Sequence, residues 1–280
     1  MLITGGENMK AEDIILTDSS RGMDKAAKFL PDNYCSYAAR DILQLQKGTI
    51  FLITGFWVNG TGETDGPAGT YVIYKSLEKL GYNPIILTEA YSVAPFENLK
   101  VLSDFSVNSS AESYEELINK YSPVAVIAIE RCGRNSSDDY TNIRGESIKQ
   151  HTSNLDLLFE LCCNKGIVTV GIGDGGNEIG MGNISEKLRN IINCDPCKIK
   201  SKHLIVATVS NWGAYALVSN IQRLSRKNIM PHFSELKDFY KAMINAGFVD
   251  GITGKNEMSV DGFDIYDEKE IYELLKTHSL

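Results

Sequence analysis

Gly166-Ile-Val-Thr-Val170 runs without a break into Gly171-Ile-Gly-Asp-Gly-Gly-Asn-Glu-Ile-Gly-Met-Gly182, and this junction decides how the rest of the chain is read. The first five residues form an apolar, β-branched run of strand length. The next twelve hold six glycines around Asp174, Asn177 and Glu178. Glycine loses more conformational entropy on ordering than any other residue and packs no side chain. Such density therefore marks a backbone that turns sharply or comes close to a ligand. Concentrated turn chemistry after a buried strand is where α/β proteins bind their ligands.

Working outward, the same kind of strand recurs. Thr49-Ile-Phe-Leu-Ile-Thr54, Pro84-Ile-Ile-Leu-Thr88, Val124-Ala-Val-Ile-Ala-Ile129 and Leu204-Ile-Val-Ala-Thr-Val209 are short, apolar and β-branched. Between them lie longer helical patterns over residues 67–80, 113–120 and 146–164, with another starting near Trp212. Pro67 suits a first helical turn and Gly81 the residue just past a helix end, so both limits of that helix are marked. Strands joined by helices imply crossover connections. The expected fold is α/β: a mostly parallel, Rossmann-like sheet of about five or more strands with helices on both faces. The chain reads as one domain over 1–280, with a helical segment at 1–48, a sheet core at 49–230 and a helical, turn-rich segment at 231–280. Turns at Val249-Asp-Gly-Ile-Thr-Gly254 and Val260-Asp-Gly262 interrupt that last segment.

A net charge of −8, with basic residues scattered apart from Lys198-Ile-Lys-Ser-Lys202, leaves no stripe to bind a phosphate backbone, so nucleic acid is excluded as a partner. No run approaches the eighteen or so apolar residues that cross a bilayer. Met1-Leu-Ile-Thr-Gly-Gly-Glu7 has neither the charged start nor the apolar core of a signal peptide. The six cysteines lie in or beside apolar segments, which suits reduced thiols, and a cytoplasmic protein is expected. Cys194-Asp-Pro-Cys197 has the spacing of a metal or redox pair, but it trails a helix and has only His203 near it as a further ligand.

In a parallel sheet the residues just after each strand meet at one edge. Here they are Gly55 and Glu63-Thr-Asp-Gly-Pro67, Glu89, Glu130-Arg-Cys-Gly-Arg134, the glycine loop, and Ser210-Asn211. The start of the helix at Pro67 offers free amides and a positive dipole end to a carboxylate or phosphate; a capping Thr64 or Asp65 would account for one acidic residue there, not for Glu63 as well. Arg131 and Arg134 have the fork geometry that binds carboxylates, or else pair with Glu130 at the sheet edge. Gly171, Gly173 and Gly176 spell G-x-G-x-x-G, yet Gly180 and Gly182 would weaken the helix a dinucleotide site needs next, and no acidic residue ends a following strand. No G-K-[ST] or G-x-S-x-G occurs, and the four histidines lack motif context. What remains is rich in carboxylates, arginines and glycine amides without an obvious nucleophile. Such a site binds a small anionic substrate and moves protons on it, and its carboxylates can also hold Mg²⁺ or Mn²⁺.

Thr54-Gly55-Phe56, Glu63-Thr-Asp-Gly-Pro67, Ile129-Glu-Arg-Cys-Gly-Arg134, Gly173-Asp-Gly-Gly-Asn-Glu-Ile-Gly-Met-Gly182 and Val249-Asp-Gly-Ile-Thr253 resemble the D-glutamate cyclase C-terminal domain family. The resemblance runs over nearly the whole chain, and its longest string, Asp174 to Gly182, is the most specific. It implies a lyase-type enzyme that dehydrates D-glutamate, or a close analogue, to 5-oxo-D-proline. On that footing Asp174, Glu178, Glu63 and Asp65 are expected to transfer protons, with Asp174 and Glu178 also the candidate ligands of a divalent metal. Arg131, Arg134 and the amides of Gly66, Gly175 and Gly176 are expected to hold the two carboxylates of the substrate. Gly55, Thr64, Glu130, Gly173, Asn177 and Asn211 complete the expected binding set. The other readings of the residues are a nucleotide- or sugar-phosphate-binding enzyme and a non-catalytic subunit that needs a partner protein. A homodimer is expected only because soluble enzymes so often form one.

Overall fold

Residues 9–278 are described by the computed structural model, so the expectation for residues 1–7 lies outside the described residues. Three helices come first, α1 (Ala11–Ile15), α2 (Met23–Ala26) and α3 (Tyr34–Gln44). Strand β1 (Thr49–Ile53) leads into a small hairpin, β2 (Trp57–Val58) and β3 (Thr61–Gly62), and then into α4 (Pro67–Lys79). Next come β4 (Asn83–Leu87), β5 (Val101–Leu102), α5 (Ala111–Tyr121), β6 (Ala125–Ile129) and α6 (Leu155–Asn164). After these follow β7 (Val168–Gly173), α7 (Ser185–Leu188), β8 (His203–Val206), α8 (Ser210–Ser225) and α9 (Phe233–Asn245). A second hairpin, β9 (Ser259–Val260) and β10 (Phe263–Asp264), precedes α10 (Ile265–His278).

Six strands form one sheet in the order β5-β4-β1-β6-β7-β8, every pair parallel. The chain lays β4 and β5 to one side of β1, then crosses back to place β6 on the other side. That reversal opens a crevice between β1 and β6 at their carboxyl ends, where an α/β sheet gathers its ligands. Every residue of β6 and β7 is buried, as strands covered on both faces require. Helices α3, α4 and α8 pack side by side, and α5 packs with α6. One apolar cluster runs through the sheet and both helix groups, from Ala11 to Leu275. No helix among the described residues is long and apolar enough to cross a membrane.

The parallel α/β sheet expected from the strand pattern is present, with six strands. Two boundaries differ. The helix expected over 146–164 begins only at Leu155, because Ser147 bridges Thr141 and Ser153 is drawn to Glu89 instead of continuing a helix. Strand β7 runs on to Gly173, into the glycine-rich stretch. A Cβ at Gly171 would lie 2.3 Å from the Ile179 carbonyl oxygen, so this glycine lets the returning loop cross the strand. The six cysteines are free thiols. His203, the one further ligand considered for Cys194 and Cys197, instead pairs with Asp41 at 2.8 Å.

Candidate active site

Helices α4 and α8 start side by side at the crevice, and each is capped by the other's polypeptide. The Asn211 Oδ1 accepts hydrogen bonds from Gly66 N at 2.9 Å and Gly69 N at 2.7 Å, closing the start of α4. Asp65, just before α4, accepts from Ser210 N at 2.9 Å and Asn211 N at 2.8 Å, closing the start of α8. The two helices can approach this closely because Gly69 faces Ala214, where a Cβ would lie only 2.7 Å away. The amides of Gly66 and Gly69 at the start of α4, and of Ser210 and Asn211 at the start of α8, are therefore satisfied from within.

The glycine loop is closed in the same way. The Glu178 carboxylate folds back and accepts from Gly175 N at 2.6 Å, Gly176 N at 2.8 Å and Asp174 N at 3.2 Å. Gly176 and Gly180 adopt φ of +101° and +104°, which an L side chain rarely does, and this curls the amides around the carboxylate. Asn177 donates to the Thr141 carbonyl at 2.7 Å and ties the loop to the segment that follows β6.

These contacts show where the structure places the residues expected to bind the substrate. The amides of Gly66, Gly175 and Gly176, expected to hold substrate carboxylates, are taken by Asn211, Asp65 and Glu178. Arg131 is wholly buried, forks onto both oxygens of Glu89, and also donates to the carbonyls of Gly55 and Ser153. Arg134 bonds Asp156 at 2.7 Å and also Glu160. Both arginines thus brace loops, Arg131 through both terminal nitrogens and Arg134 through Nε and Nη2, while the buried Arg131 Nε has no partner among the described residues. Thr64 is fastened by its hydroxyl to the Ser259 carbonyl at 2.7 Å, and Gly55 and Gly173 contribute close backbone approaches: a Cβ on Gly55 would meet Thr88 Oγ1 at 2.6 Å, and one on Gly173 would meet Glu178 at 2.8 Å.

The open part of the crevice is a cleft of about 230 Å³. Its charged lining includes Arg21, Glu63, Glu130 and Asp261, with Arg144 and Glu146 at the segment after β6. Arg21 and Asp261 were not singled out in the sequence. Arg21 precedes α2, whose N-cap Gly22 has φ of +81°, and its Nη2 reaches Asp174 at 2.7 Å, the Thr208 carbonyl at 2.9 Å and Asp261. Asp261 is the first of two turn residues between β9 and β10, with φ of +51° followed by Gly262 at +84°. A two-residue hairpin turn with both φ positive is the Asp-Gly signature, and Val260-Asp-Gly262 carries it in sequence. The turn is legible in Val260-Asp-Gly262, whereas Arg21, the partner that folds onto it, is distant in sequence.

Six carboxyl groups, Glu63, Asp65, Glu130, Asp174, Glu178 and Asp261, are near enough to influence one another, and the Arg21 guanidinium contacts two of them, Asp174 and Asp261. Burial pushes Asp65 up to about 7, with the charge of Asp261 adding to the rise and hydrogen bonds from Asp174, Asn211 and Ser210 opposing it. Burial, then Asp261 and Asp65, holds Glu63 well above the usual carboxylate range. Burial, then Glu178, Asp65 and Glu63, does the same for Glu130. Asp174 is raised by burial despite Arg21 beside it. Such a cluster retains protons near neutrality, as acid–base chemistry requires.

Two of the carboxyls that line the cleft, Glu130 and Glu63, differ in their surroundings. Glu130 is at the end of β6 with φ of +42°, a costly conformation for this residue, and accepts from the Ser210 hydroxyl at 2.5 Å. The Glu63 carboxyl, in a residue only 6% exposed, has no hydrogen-bond partner among the described residues. Carboxylate oxygens of Asp65, Asp174 and Asp261 lie within 4.8 Å of one another, as do those of Glu130, Asp174 and Glu178. All are hard oxygen donors of the kind Mg²⁺ and Mn²⁺ accept. Both sets are engaged without an ion: both oxygens of Asp65 and both of Glu178 serve backbone amides, and Arg21 sits on Asp174 and Asp261.

A sequence profile described as "D-glutamate cyclase-like, C-terminal" matches residues 11–276. The human protein "D-glutamate cyclase, mitochondrial" is 42% identical over 97 residues, which make up 33% of this chain and 16% of that protein. Among solved structures, the Bordetella bronchiseptica enzyme WbmH in complex with NAD+ aligns over 46% of this chain and 40% of its own, at 11% identity and a TM-score of 0.30. An epimerase from Methanothermobacter thermautotrophicus aligns over 71% and 53%, at 13% identity and a TM-score of 0.31. Likeness this loose adds nothing to the topology described above.

Proposed function

Because the chain belongs to the D-glutamate cyclase-like, C-terminal family, we propose that it is a lyase-type enzyme that dehydrates D-glutamate to 5-oxo-D-proline. The observation that carries this reading is Glu63: a buried carboxyl with a raised pKa and no hydrogen-bond partner among the described residues, lining a cleft that Glu130 also lines. The reaction forms a C–N bond between the amine and the side-chain carboxyl carbon and breaks a C–O bond there. The ammonium sheds two protons, and both leave in the water, so the site needs no net proton source.

Glu130, ionised, takes the first ammonium proton and frees the amine to attack. Glu63, protonated, donates to the carboxyl oxygen that becomes the leaving group, then takes the second proton from the ring nitrogen. Glu130 passes its proton to the departing hydroxyl and returns to the ionised form, so both groups end as they began. The negative floor formed with Asp261 and Asp174 favours the ammonium end of the substrate. Closed helix ends and a closed glycine loop leave no amide cradle for phosphate, which disfavours the nucleotide and sugar-phosphate reading. A divalent cation held by Asp174 and Asp261 would have to displace Arg21 from them, and would then supply further charge stabilisation to the leaving oxygen.

The test is chiral detection of 5-oxoproline after the purified chain is incubated with D- or L-glutamate, with and without Mg²⁺ or Mn²⁺. Product is expected from the D isomer. Glu63→Gln, close in size and unable to donate an acidic proton, should lower the rate by about 10²–10⁴-fold, the usual share of a general acid–base group. No product from either isomer under any metal condition overturns the proposal.

A further inference from the structure

The floor of the cleft is negative, yet the proposed substrate carries a carboxylate that the cyclisation leaves untouched. Something must hold that charge away from the floor. Among the described residues that line the cleft, the cations are Arg21 and Arg144. Arg21 already serves Asp174, Asp261 and the Thr208 carbonyl. The Arg144 side chain makes no hydrogen bond or ion pair with any described residue.

Arg144 is nevertheless held on a well-fastened turn. Asn142 Oδ1 accepts from Arg144 N at 2.9 Å and Glu146 N at 3.1 Å, and Asn142 Nδ2 donates to Glu146 at 2.8 Å. Gly145, at φ of +78°, donates its amide to the Asn142 carbonyl, and Thr141 bridges Ser147 below the turn. The turn is docked on the glycine loop through the bond from Asn177 to Thr141. Ile143 packs against Gly175, where a Cβ would come within 3.0 Å of its methyl. A backbone this constrained, presenting an unpaired guanidinium over an acidic cleft, costs little further ordering when a carboxylate binds.

We propose that Arg144 binds the α-carboxylate of the substrate, so that the ligand class is an amino acid bearing a free carboxylate beside the reacting amine. The inference rests on the proposed cyclisation. The substrate then lies with its ammonium and side-chain carboxyl between Glu63 and Glu130 and its α-carboxylate toward the turn at 142–146. The glycine loop acts on the reaction by seating this turn, not by binding the substrate with its own amides.

The experiment compares D-glutamate with D-isoglutamine, which has the same reacting groups but an uncharged α-carboxamide, on the wild-type chain, Arg144→Met and Arg144→Lys. Direct D-glutamate binding is measured by calorimetry alongside. A hydrogen-bonded charge pair at a half-open site predicts that Arg144→Met raises KM for D-glutamate roughly 10- to 100-fold with kcat little changed. The same variant should nearly abolish the preference for D-glutamate over D-isoglutamine, and Arg144→Lys should recover part of it. If Arg144→Met turns over D-glutamate with unchanged KM and unchanged preference, the inference is overturned and the cyclase reading stands. If the wild-type chain neither binds nor turns over D-glutamate, both fall.

Discussion

Replacing Asn211 with Ala separates a structural cap from a substrate ligand. Asn211 is fully buried and makes four side-chain bonds: from Gly66 N and Gly69 N, and to the Thr64 carbonyl at 3.1 Å and Tyr240 Oη at 3.2 Å. Two of those partners keep another bond in the variant, since Gly66 N also donates to Asp65 and Tyr240 to Glu268. The Gly69 amide and the Thr64 carbonyl are left buried and unpaired. Each orphan costs about 1–3 kcal/mol, and the vacated amide volume adds a cavity term, for a total of about 3–5 kcal/mol. For a chain of this size each kcal/mol lowers the melting temperature by roughly 2–4 °C, so a fall on the order of 10 °C is expected by scanning calorimetry. Activity at a temperature well below the new midpoint should fall far less than in Glu63→Gln. A melting temperature unchanged within a degree or two, together with lost turnover, would refute the capping argument and return Asn211 to the substrate.

Two further outcomes follow from the buried charges. Arg131→Met strips the partner from Glu89 at a fully buried site and should cost about 3–5 kcal/mol in urea unfolding; adding Glu89→Leu should recover much of the loss, whereas a substrate-binding Arg131 would show a KM effect without it. The raised carboxyls make stability depend on pH. Their folded pKa values exceed the unfolded ones, so their contribution is full below about pH 4 and is lost as pH rises through the folded values. Asp65 is raised to about 7, and Glu63, Glu130 and Asp174 are raised with it, so the melting temperature of the metal-free chain should fall between pH 5 and 8. Mg²⁺ or Mn²⁺ should restore part of it at pH 8, by binding the ionised cluster. A melting temperature that climbs steadily across the same window contradicts the raised values.

The sheet was legible because its signal is local. Each of the five long strands is an apolar run whose length and composition suffice, and the alternation with helices implies the parallel pairing. The shorter strands escaped for the same reason: Val101–Leu102 and the two small hairpins are two residues long, too brief for any period. The helix expected from residue 146 failed because its apolar pattern begins only at Leu155, while Ser147 and Ser153 are claimed by distant partners. In the site, Glu63 and Glu130 were legible from their place after a strand. Arg21 was not, since it lies 153 residues from Asp174 in a segment that reads as helix and turn. Long-range pairing of that kind leaves no periodic trace in one sequence.

The residues that looked most like ligand binders turn out to be spent on assembly, and the physics explains why. A crevice at the carboxyl end of a parallel sheet exposes helix starts and turn amides, all donors in search of acceptors. Left open, they would attract any anion. Asp65, Asn211 and Glu178 fill them from within, which leaves the site a surplus of carboxylates rather than of free amides. That surplus repels phosphate and stabilises an ammonium. Burial first, and then that surplus, raises Glu63 and Glu130 well above the usual carboxylate range, which makes them usable as acid and base in the proposed reaction. On the proposed cyclisation, specificity for a dicarboxylic amino acid would come from cations at the rim of the cleft, which Arg144 lines. On this account the glycine loop is conditionally required: substituting Gly175, which Ile143 packs against, should disturb KM through the turn at 142–146 before it disturbs the proton chemistry. Measuring KM and kcat for Gly175→Ala decides this. A fall in kcat at constant KM would mean that the loop acts on the reacting atoms after all.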